Sequence, residues 1–393
     1  MKREDPGNRL AGGGTVLVMC FGLVLLSAWF IGPPSGTSDR LQNTSERAFP
    51  ALANPRSFLN VDTYIQTEAA IESRLRAKPA AVLAVNTVFL TLLGSSPSSS
   101  VSTGSLVLPP TSLGAQRELF FGGDFTQSCG TSQTAAAEGL AALESAARAG
   151  GMRVLFVVAP NKSTVLLKDE SAWTHALLNC ATASRISLQA LATEHPSLHL
   201  VSPERVHQLD PAMPYWRGDT HWTPRTGVAL TETVVDALFG ASASSSVPTR
   251  FRAQSAFERR QDLDAMLGIE TKVETPWWGP TGPEMPLLAT GVDPLKDLIP
   301  FTTASPWPTA QSILVVGDSF TWVPELEGQV ASYFPSGNFM LWDNVTTQHP
   351  LPGSRVLILE SIERSALTRL AQLRPGSEYQ ALLNYLAAGG VSE

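Results

Sequence analysis

The chain has 393 residues, of which 43% are hydrophobic and 16% are charged, and its formal net charge is −7. This composition predicts a globular protein that carries an apolar segment, and it excludes an intrinsically disordered chain. The negative balance argues against a nucleic-acid-binding surface, and no cluster of Lys and Arg marks a groove for an anionic polymer. The length allows one large domain or two small ones.

The N-terminal segment predicts a membrane anchor. No charged residue occurs between Arg9 and Asp39, and residues 15–31 are almost wholly apolar. This length is short for a membrane span and long for the core of a signal peptide. Because Lys2 and Arg3 precede the segment together with Arg9, the N-terminus is expected to stay cytoplasmic. We predict an uncleaved anchor rather than a cleaved signal peptide, with the rest of the chain on the periplasmic or extracellular face.

Three regions follow from the composition along the chain. Residues 1–34 are expected to be a cytoplasmic tip and membrane anchor, residues 35–114 a tether, helical lead-in and Ser-rich loop, and residues 115–393 the main domain. In the main domain, short apolar runs alternate with helical patterns, which predicts an α/β fold with a parallel sheet and helices on both faces. The expected elements are a helix over 135–149, a strand over 153–158, a helix over 181–193, a strand over 198–201, a helix over 226–238, and strands over 313–316 and 356–359. A Ser-rich loop is expected over 241–247, and residues 250–308 interrupt the alternation.

Asp219 and His221 lie two residues apart in an Asp-Thr-His-Trp motif. In an extended segment such residues point to the same side, so Asp219 can accept a hydrogen bond from one ring nitrogen of His221. A carboxylate in this position fixes the imidazole tautomer and stabilises the imidazolium that forms when the ring takes a proton. We expect the pair on a short loop between a strand end and a helix that Thr223 caps and Pro224 begins. The alternative is a turn aspartate beside a partly buried histidine.

Ser319 follows an apolar run that predicts a buried strand, and Gly317 permits a sharp turn into a helix expected over 321–333. A serine at this junction lies beside free backbone N–H groups, which can hold the oxyanion of a tetrahedral intermediate. Open α/β sheets also place their ligands at the carboxyl ends of strands. A helix cap is the alternative role. Together, Ser319, His221 and Asp219 predict the nucleophile, base and orienting carboxylate of acyl chemistry.

Four further segments occur in the same order as in a known family. The chain resembles the alginate O-acetyltransferase AlgJ/AlgX family of SGNH-hydrolase-like proteins in residues 118–124, 157–163, 261–268 and 356–364. The resemblance implies an SGNH-like (flavodoxin-like) fold and an extracytoplasmic enzyme that O-acetylates a polysaccharide through an acyl-serine. Ser319, His221 and Asp219 would be its catalytic residues. The acetyl donor would be supplied by a multi-pass membrane O-acyltransferase, and the polysaccharide would be the acceptor.

The chain departs from ordinary SGNH hydrolases in two respects. The order is Asp219, His221, then Ser319, with one residue inside the Asp-x-His motif instead of two, which agrees with the AlgJ/AlgX family. No Gly-x-Asn-Asp block supplies an oxyanion donor, and Asn344 is a candidate substitute. Three residues that match the family segments, Lys162, Glu360 and Arg364, receive no catalytic role.

Several alternatives stay open in the sequence. A carbohydrate esterase or deacetylase would use the same three residues with water as acceptor, and a non-catalytic polysaccharide-binding assembly protein could retain the fold. Cys129 and Cys180 could form a disulfide bond or remain two buried thiols. Trp277 and Trp278 could stack on sugar rings, but burial in the core is the commoner fate. We predict no cofactor and no metal, since no Cys/His spacing suggests zinc and Pro196 separates His195 from His199.

Overall fold

The structure is a computed structural model that describes residues 101–103, 119–121, 123–126, 130–166, 172–266, 272–280, 287–288, 298–303, 311–322, 326–345 and 351–390. The chain divides into two compact units, residues 1–98 with 264–271 and residues 99–263 with 272–393. The predicted membrane anchor and tether lie outside the described residues. Within the ranges just given, no helix is both long and apolar enough to cross a membrane.

Strands are formed by eleven segments of the described residues, and most of them are short. In chain order they are β1 (Val101–Thr103), β2 (Leu119–Phe121), β3 (Arg153–Ala159), β4 (Leu198–Leu200), β5 (Phe251–Arg260), β6 (Lys272–Pro280), β7 (Leu287–Leu288), β8 (Ile299–Thr302), β9 (Ile313–Gly317), β10 (Ser336–Leu341) and β11 (Val356–Ile362).

A seven-stranded sheet in the order β4-β3-β11-β9-β10-β8-β7 forms the centre of the fold. The strands from β4 to β10 in this order run parallel to one another. The prediction of a parallel sheet is therefore confirmed for its central part. At one edge β8 is antiparallel to β10, and β7 is antiparallel to β8. These two edge strands come from the stretch that interrupts the expected alternation, so the sheet is mixed rather than wholly parallel.

Two further antiparallel pairs lie outside the seven-stranded sheet. β1 pairs with β2, and β5 pairs with β6 over nearly their full lengths, with a register shift between Ala253 and Ala256. The β5–β6 ribbon was not predicted. The last residues of β5 contact the loop that holds the Asp-x-His motif.

The helices of the described residues flank this sheet. In chain order they are α1 (Gly123–Thr126), α2 (Gln133–Gly150), α3 (Lys162–Leu166), α4 (Ala172–Glu194), α5 (Pro203–Leu209), α6 (Pro224–Phe239), α7 (Ala241–Ser244), α8 (Val247–Arg250), α9 (Asp262–Met266), α10 (Ser319–Trp322), α11 (Leu326–Ala331), α12 (Trp342–Val345), α13 (Glu363–Gln372) and α14 (Gln380–Ala387).

The long helices were predicted correctly, and three local predictions were wrong. The expected Ser-rich loop over 241–247 contains α7 and the start of α8, because serine hydroxyls there bond to carbonyls three residues back. The helix expected over 321–333 is instead two short ones, α10 and α11, and Pro324 lies between them in the sequence. The Asp-x-His loop follows helix α5 rather than a strand end.

Alternate residues of the central strands point to opposite faces of the sheet, and each face is covered. Val157 and Val315 pack in one apolar cluster with residues of α6 such as Val234. Their neighbours Phe156 and Val316 pack in a second cluster, which includes residues of α2, α13 and α14. This period of two is expected of strands buried on both sides. It confirms the prediction of helices on both faces.

The parallel strands β3, β9 and β11 end at the same edge of the sheet. Their register pairs Ile362 with Ala159, and Leu359 of β11 with Val316 of β9. The segments that follow β3, β9 and β11 begin at Pro160, Asp318 and Glu363. The fold therefore brings three of the sequence segments singled out above to one edge.

A glycine sets the distance between α2 and α13. A Cβ at Gly139 would overlap the backbone carbonyl oxygen of Leu370. We expect Gly139→Ala to destabilise the fold by roughly 1–3 kcal/mol, because overpacking outweighs the gain in helix propensity. Urea unfolding would measure this loss. Glu138→Ala, at the neighbouring exposed position, should change stability by less than about 0.5 kcal/mol. A stabilised Gly139→Ala variant would contradict the packing described here.

Candidate active site

The Asp-x-His motif lies on a tight loop between α5 and α6. Tyr215 and Trp222 form an antiparallel bridge across the loop, and the N–H of Trp216 donates to the carbonyl of His221 at 3.3 Å. Thr223 is the N-cap residue of α6 and Pro224 its first residue, as predicted, but the Thr223 side chain accepts no cap hydrogen bond. These contacts give the loop a fixed shape.

Asp219 and His221 form the close pair that their spacing predicts. Asp219 Oδ1 lies 2.6 Å from His221 Nδ1 and also accepts the His221 backbone N–H at 2.9 Å. Asp219 is fully buried. Burial alone would raise the pKa of Asp219, but the charge and hydrogen bond of His221, together with the Arg259 guanidinium, hold it below its usual range. The carboxylate therefore stays ionised at neutral pH, and it fixes the proton of the imidazole on Nδ1.

Arg259, at the end of β5, is a member of the site that the sequence did not reveal. Its Nε donates to Asp219 Oδ2 at 3.1 Å, and its guanidinium stacks on the ring of Trp216 at 4.3 Å. Its Nη2 lies 3.2 Å from His221 Nδ1. Both carboxylate oxygens of Asp219 are thus bound by partners. A single arginine in a stretch without helical or strand alternation gives no signal that could have identified it.

The oxygen and nitrogen atoms of Asp219, His221 and Asp262 lie within 4.8 Å of one another, a spacing that could hold a metal ion. Arg259 contacts two of these three residues. A cation bound there would meet a fixed positive charge, and it would compete with the guanidinium for Asp219. The residues present therefore do not fit a metal ion.

Gln261 and Asp262 hold the backbone of the same loop. Gln261 Oε1 accepts the N–H of Gly218 at 2.7 Å, and Asp262 Oδ1 accepts the N–H of Thr220 at 2.7 Å. Asp262 Oδ2 accepts the Thr220 hydroxyl at 2.5 Å. Burial and the nearby charge of Asp219 raise the pKa of Asp262 to about 6. The sequence segment 261–268 thus has a structural reason to accompany the Asp-x-His motif.

Lys162 anchors the Asp-x-His loop to the segment that follows β3. Its side chain is buried at the start of α3, and Nζ donates to the carbonyls of Trp216 at 2.7 Å, Arg217 at 2.8 Å and Asp219 at 3.2 Å. Tyr215 adds a bond from its hydroxyl to the carbonyl of Pro160 at 2.6 Å. The end of β3 therefore positions the loop, and Lys162 acts through the backbone of Asp219.

Ser319 begins α10, which Asp318 alone separates from β9, and it is exposed. The next residue, Phe320, packs its ring against the His221 ring with centroids 4.8 Å apart, and its carbonyl accepts the Trp222 indole N–H at 3.4 Å. The nucleophile candidate and the histidine therefore belong to segments in direct contact. Among the described residues His221 Nε2 is buried without a hydrogen-bond partner, and no hydrogen bond joins it to Ser319. The pairing of Ser319 with His221 stays a prediction.

The turn that carries Ser319 is held by two carboxyl groups. Asp318 Oδ1 accepts the N–H of Phe320 and Oδ2 accepts the N–H of Ile362, both at 2.8 Å. Glu360 Oε2 accepts the N–H of Asp318 at 3.1 Å and the hydroxyl of Thr321 at 2.6 Å. The turn is thereby joined to β11, and Glu360 has a positional role.

Arg364 packs on the other side of Phe320. Its guanidinium lies over the rings of Phe121 at 5.0 Å and Phe320 at 5.5 Å, and its Nη1 donates to Asp124 Oδ1 at 2.9 Å. Its backbone N–H donates to Asn161 Oδ1 at 3.2 Å. Residues from the segments 118–124, 157–163 and 356–364 thus meet beside Ser319. No spacing rule in the sequence predicts this meeting.

The remaining candidates have separate outcomes. Asn344 is buried in α12 after β10, and its role as an oxyanion donor stays a prediction. Trp278 packs against the apolar core with Arg225 over its ring, which agrees with burial. The Trp277 side chain lies outside the described residues. Cys180 is disulfide-bonded, and Cys129, with which the sequence left a pairing open, lies outside the described residues.

The two other histidines singled out in the sequence are apart from this site. His195 Nδ1 contacts Glu144 Oε2 at 3.2 Å, and His199 lies in β4. Burial lowers the pKa of His199. Neither residue belongs to the set of potential metal ligands found among the described residues.

No protein-family model and no curated protein matches this sequence. Similar solved structures include a DHHW family protein from Eubacterium siraeum (10% identity, covering 71% of this chain and 96% of that chain, TM-score 0.45). They also include PatB1 from Bacillus cereus (10%, 62% and 94%, TM-score 0.44). A third is the O-acetyltransferase domain of AlgJ from Pseudomonas putida (15%, 66% and 96%, TM-score 0.39). One of these structures belongs to the AlgJ/AlgX family, whose sequence segments this chain resembles.

The Lys162 contacts lead to a direct test of loop anchoring. We expect Lys162→Met to destabilise the fold by roughly 1–3 kcal/mol, because three loop carbonyls lose the buried ammonium donor, although those of Trp216 and Arg217 keep backbone N–H donors. Chemical denaturation would measure the loss. The matched control is Lys272→Met, which removes an exposed lysine paired with Glu258 and should cost about 0–1 kcal/mol. Equal effects of the two substitutions would show that the carbonyl contacts of Lys162 do not stabilise the loop.

Proposed function

We propose that this protein is an O-acyltransferase that acetylates an exported polysaccharide through an acyl-serine at Ser319. The observation that carries the proposal is the buried Asp219–His221 pair, at 2.6 Å. The His221 ring packs on Phe320, the residue next to Ser319. An ionised carboxylate on Nδ1 leaves Nε2 as the basic nitrogen, which is the arrangement that a serine nucleophile requires.

In the first half-reaction, His221 Nε2 takes the hydroxyl proton of Ser319 while Oγ attacks the carbonyl carbon of the acyl donor. The tetrahedral intermediate collapses, the bond to the leaving group breaks, and the leaving group takes the proton from His221. Asp219 stabilises the imidazolium through Nδ1. The product is Ser319 esterified with the acyl group.

In the second half-reaction a sugar hydroxyl replaces the leaving group. His221 Nε2 takes its proton, the sugar oxygen attacks the acyl carbon, and the ester bond to Ser319 breaks. The proton then passes from His221 to Ser319 Oγ, which restores the starting state. Water in place of the sugar would give an esterase from the same residues.

The oxyanion needs a hydrogen-bond donor near Ser319. The N–H groups of Phe320 and Thr321 already donate to Asp318. We therefore assign the donor role to the N–H of Ser319 itself, with the Asn344 side chain as a second candidate. Neither assignment needs a cofactor.

The location of the main domain and the supply of the acyl group belong to the same proposal. The apolar segment 15–31 would anchor the chain in the membrane, with the main domain outside the cytoplasm. An acetyl group made inside the cell must then cross the membrane. A multi-pass membrane O-acyltransferase is the partner that we propose for this step.

The acyl-serine is open to a direct test. The full chain would be incubated with an activated acetyl ester and candidate oligosaccharides, and peptides and sugars would be read by mass spectrometry. We expect one acetyl group on the Ser319 peptide and acetylated sugar among the products. Ser319→Ala should abolish both, and His221→Ala and Asp219→Asn should each lower the acylation rate by roughly 10³–10⁴-fold.

The outcomes separate the competing functions. Free acetate without acetylated sugar, lost in Ser319→Ala, would favour an esterase. No acylation of a folded protein, with retained binding of oligosaccharide, would favour a polysaccharide-binding protein. A serine substituted at an exposed position of α2, Gln133→Ser, should not become acylated and serves as the control for non-specific transfer.

A further inference from the structure

The Glu360 carboxyl group has one hydrogen-bonded oxygen and one that the described contacts leave without a partner. Oε2 accepts the backbone N–H of Asp318 at 3.1 Å and the Thr321 hydroxyl at 2.6 Å. Oε1 is buried and, within the described part of the chain, has no hydrogen-bond donor. A buried carboxylate oxygen without a hydrogen-bond donor costs free energy, because its negative charge loses its hydration and nothing in the protein compensates for that loss. A proton on Oε1 removes that cost.

The Asp318 carboxylate, which acts on Glu360 both by its charge and by side-chain hydrogen bonding, is a neighbouring group that can receive such a proton. The N–H of Asp318 donates to Glu360, and Asp318 Oδ2 accepts the N–H of Ile362, which lies two residues after Glu360 in β11. Each of its oxygens accepts one backbone N–H and retains a second lone pair. Two carboxyl groups in this position share one proton more favourably than both ionise.

We propose that Glu360 is a positioning residue: it is protonated on Oε1 and donates to the Asp318 carboxylate, and this carboxyl–carboxylate hydrogen bond fixes the turn that presents Ser319. The inference rests on the proposed role of Ser319 as nucleophile. Loss of the proton places two negative charges side by side under that turn and loosens it.

The surroundings of Glu360 support this assignment. Burial, followed by the negative charge of Asp318, raises the pKa of Glu360 well above its usual range. The titratable groups that face it are Asp318 from the β9–α10 turn and Tyr215 from the loop before α6, whose own pKa is raised chiefly by burial. Trp342, from α12, donates its indole N–H to the Glu360 carbonyl and carries no charge. Gly317 leaves room for the group, since a Cβ there would lie 3.1 Å from Glu360 Oε2.

The sign of the pH dependence follows from the raised pKa. Below the ordinary pKa of a glutamate, 4.5, Glu360 is protonated in both the folded and the unfolded chain, and its contribution to stability is fully present. Above that pH the unfolded chain loses the proton while the folded one keeps it. The contribution therefore falls as pH rises, until the folded-state pKa is passed.

Glu360→Gln tests this proton, because the amide keeps an acceptor for Asp318 N–H and Thr321 and a donor for the Asp318 carboxylate, but cannot ionise. We expect the ratio of the unfolding constants of wild type and Glu360→Gln to rise about tenfold per pH unit above the glutamate range. Infrared difference spectra should show the carbonyl band of a protonated carboxylic acid in the wild type and its loss in the variant. The matched control is Glu138→Gln, an exposed position on α2, which should change neither measurement. Parallel stability curves and no lost band would overturn the proposal.

The link to Ser319 has its own readout. In the wild type, acylation of Ser319 should decline at alkaline pH as Glu360 loses its proton, whereas Glu360→Gln should keep the low-pH rate within a few-fold and lack this decline. An identical alkaline decline in both proteins would overturn the positioning role. If the wild type shows no Ser319 acylation at all, the proposed function fails, while the stability and infrared measurements still show whether Glu360 carries the proton.

Asp318→Asn is the second variant, for use if Glu360→Gln does not fold. Removing the Asp318 charge should move the pH-dependent loss of stability to lower pH, and an unmoved curve would overturn the proposal.

Discussion

The buried negative charge of Asp219 is the constraint on which the rest of the site depends. A carboxylate that water does not reach needs donors on its oxygens and positive charge nearby. His221 and Arg259 bind its two oxygens, and Lys162 adds a buried ammonium through the carbonyls of the same loop. The start of α3, the loop before α6 and the end of β5 meet at this point. Removing any one of these partners would leave charge or polar groups unpaired, so the arrangement is held as a whole.

The pKa values of neighbouring carboxyl groups at this edge of the sheet are shifted in opposite directions by the groups around them. The pKa of Asp219 is lowered because His221 and Arg259 outweigh burial. Burial and the charge of Asp219 raise the pKa of Asp262 to about 6, and burial and the charge of Asp318 raise the pKa of Glu360 well above its usual range. The separation has a chemical consequence. Negative charge stays on Asp219, where it orients the imidazole, whereas Glu360 is able to hold a proton and still accept hydrogen bonds from Asp318 and Thr321.

The sequence predicted what is local and missed what is brought together from a distance. Apolar runs located β3, β9 and β11, and the spacing of two residues was sufficient for the Asp219–His221 bond. Arg259 lies 40 residues from Asp219 in the chain, and no periodic pattern records such a contact. Lys162 could not be assigned because a lysine is ordinarily exposed, and only the fold supplies the three carbonyls that make its burial favourable. The edge strands β7 and β8 were missed because they lie in residues 250–308, where the sequence shows no regular alternation of strand and helix patterns.

Phe320 explains how two separately held segments can act as one site. Its N–H is fixed by Asp318, and its ring and carbonyl are fixed by His221 and Trp222. A shift of the β9–α10 turn would therefore move Phe320 against the imidazole, and a shift of the Asp-x-His loop would move it against the turn. The order of the residues along the chain does not matter for this coupling, because the chemistry depends on where the groups lie and not on which comes first. What the order does decide is which elements carry them: Ser319 follows β9, whereas Asp219 and His221 lie on the loop between α5 and α6.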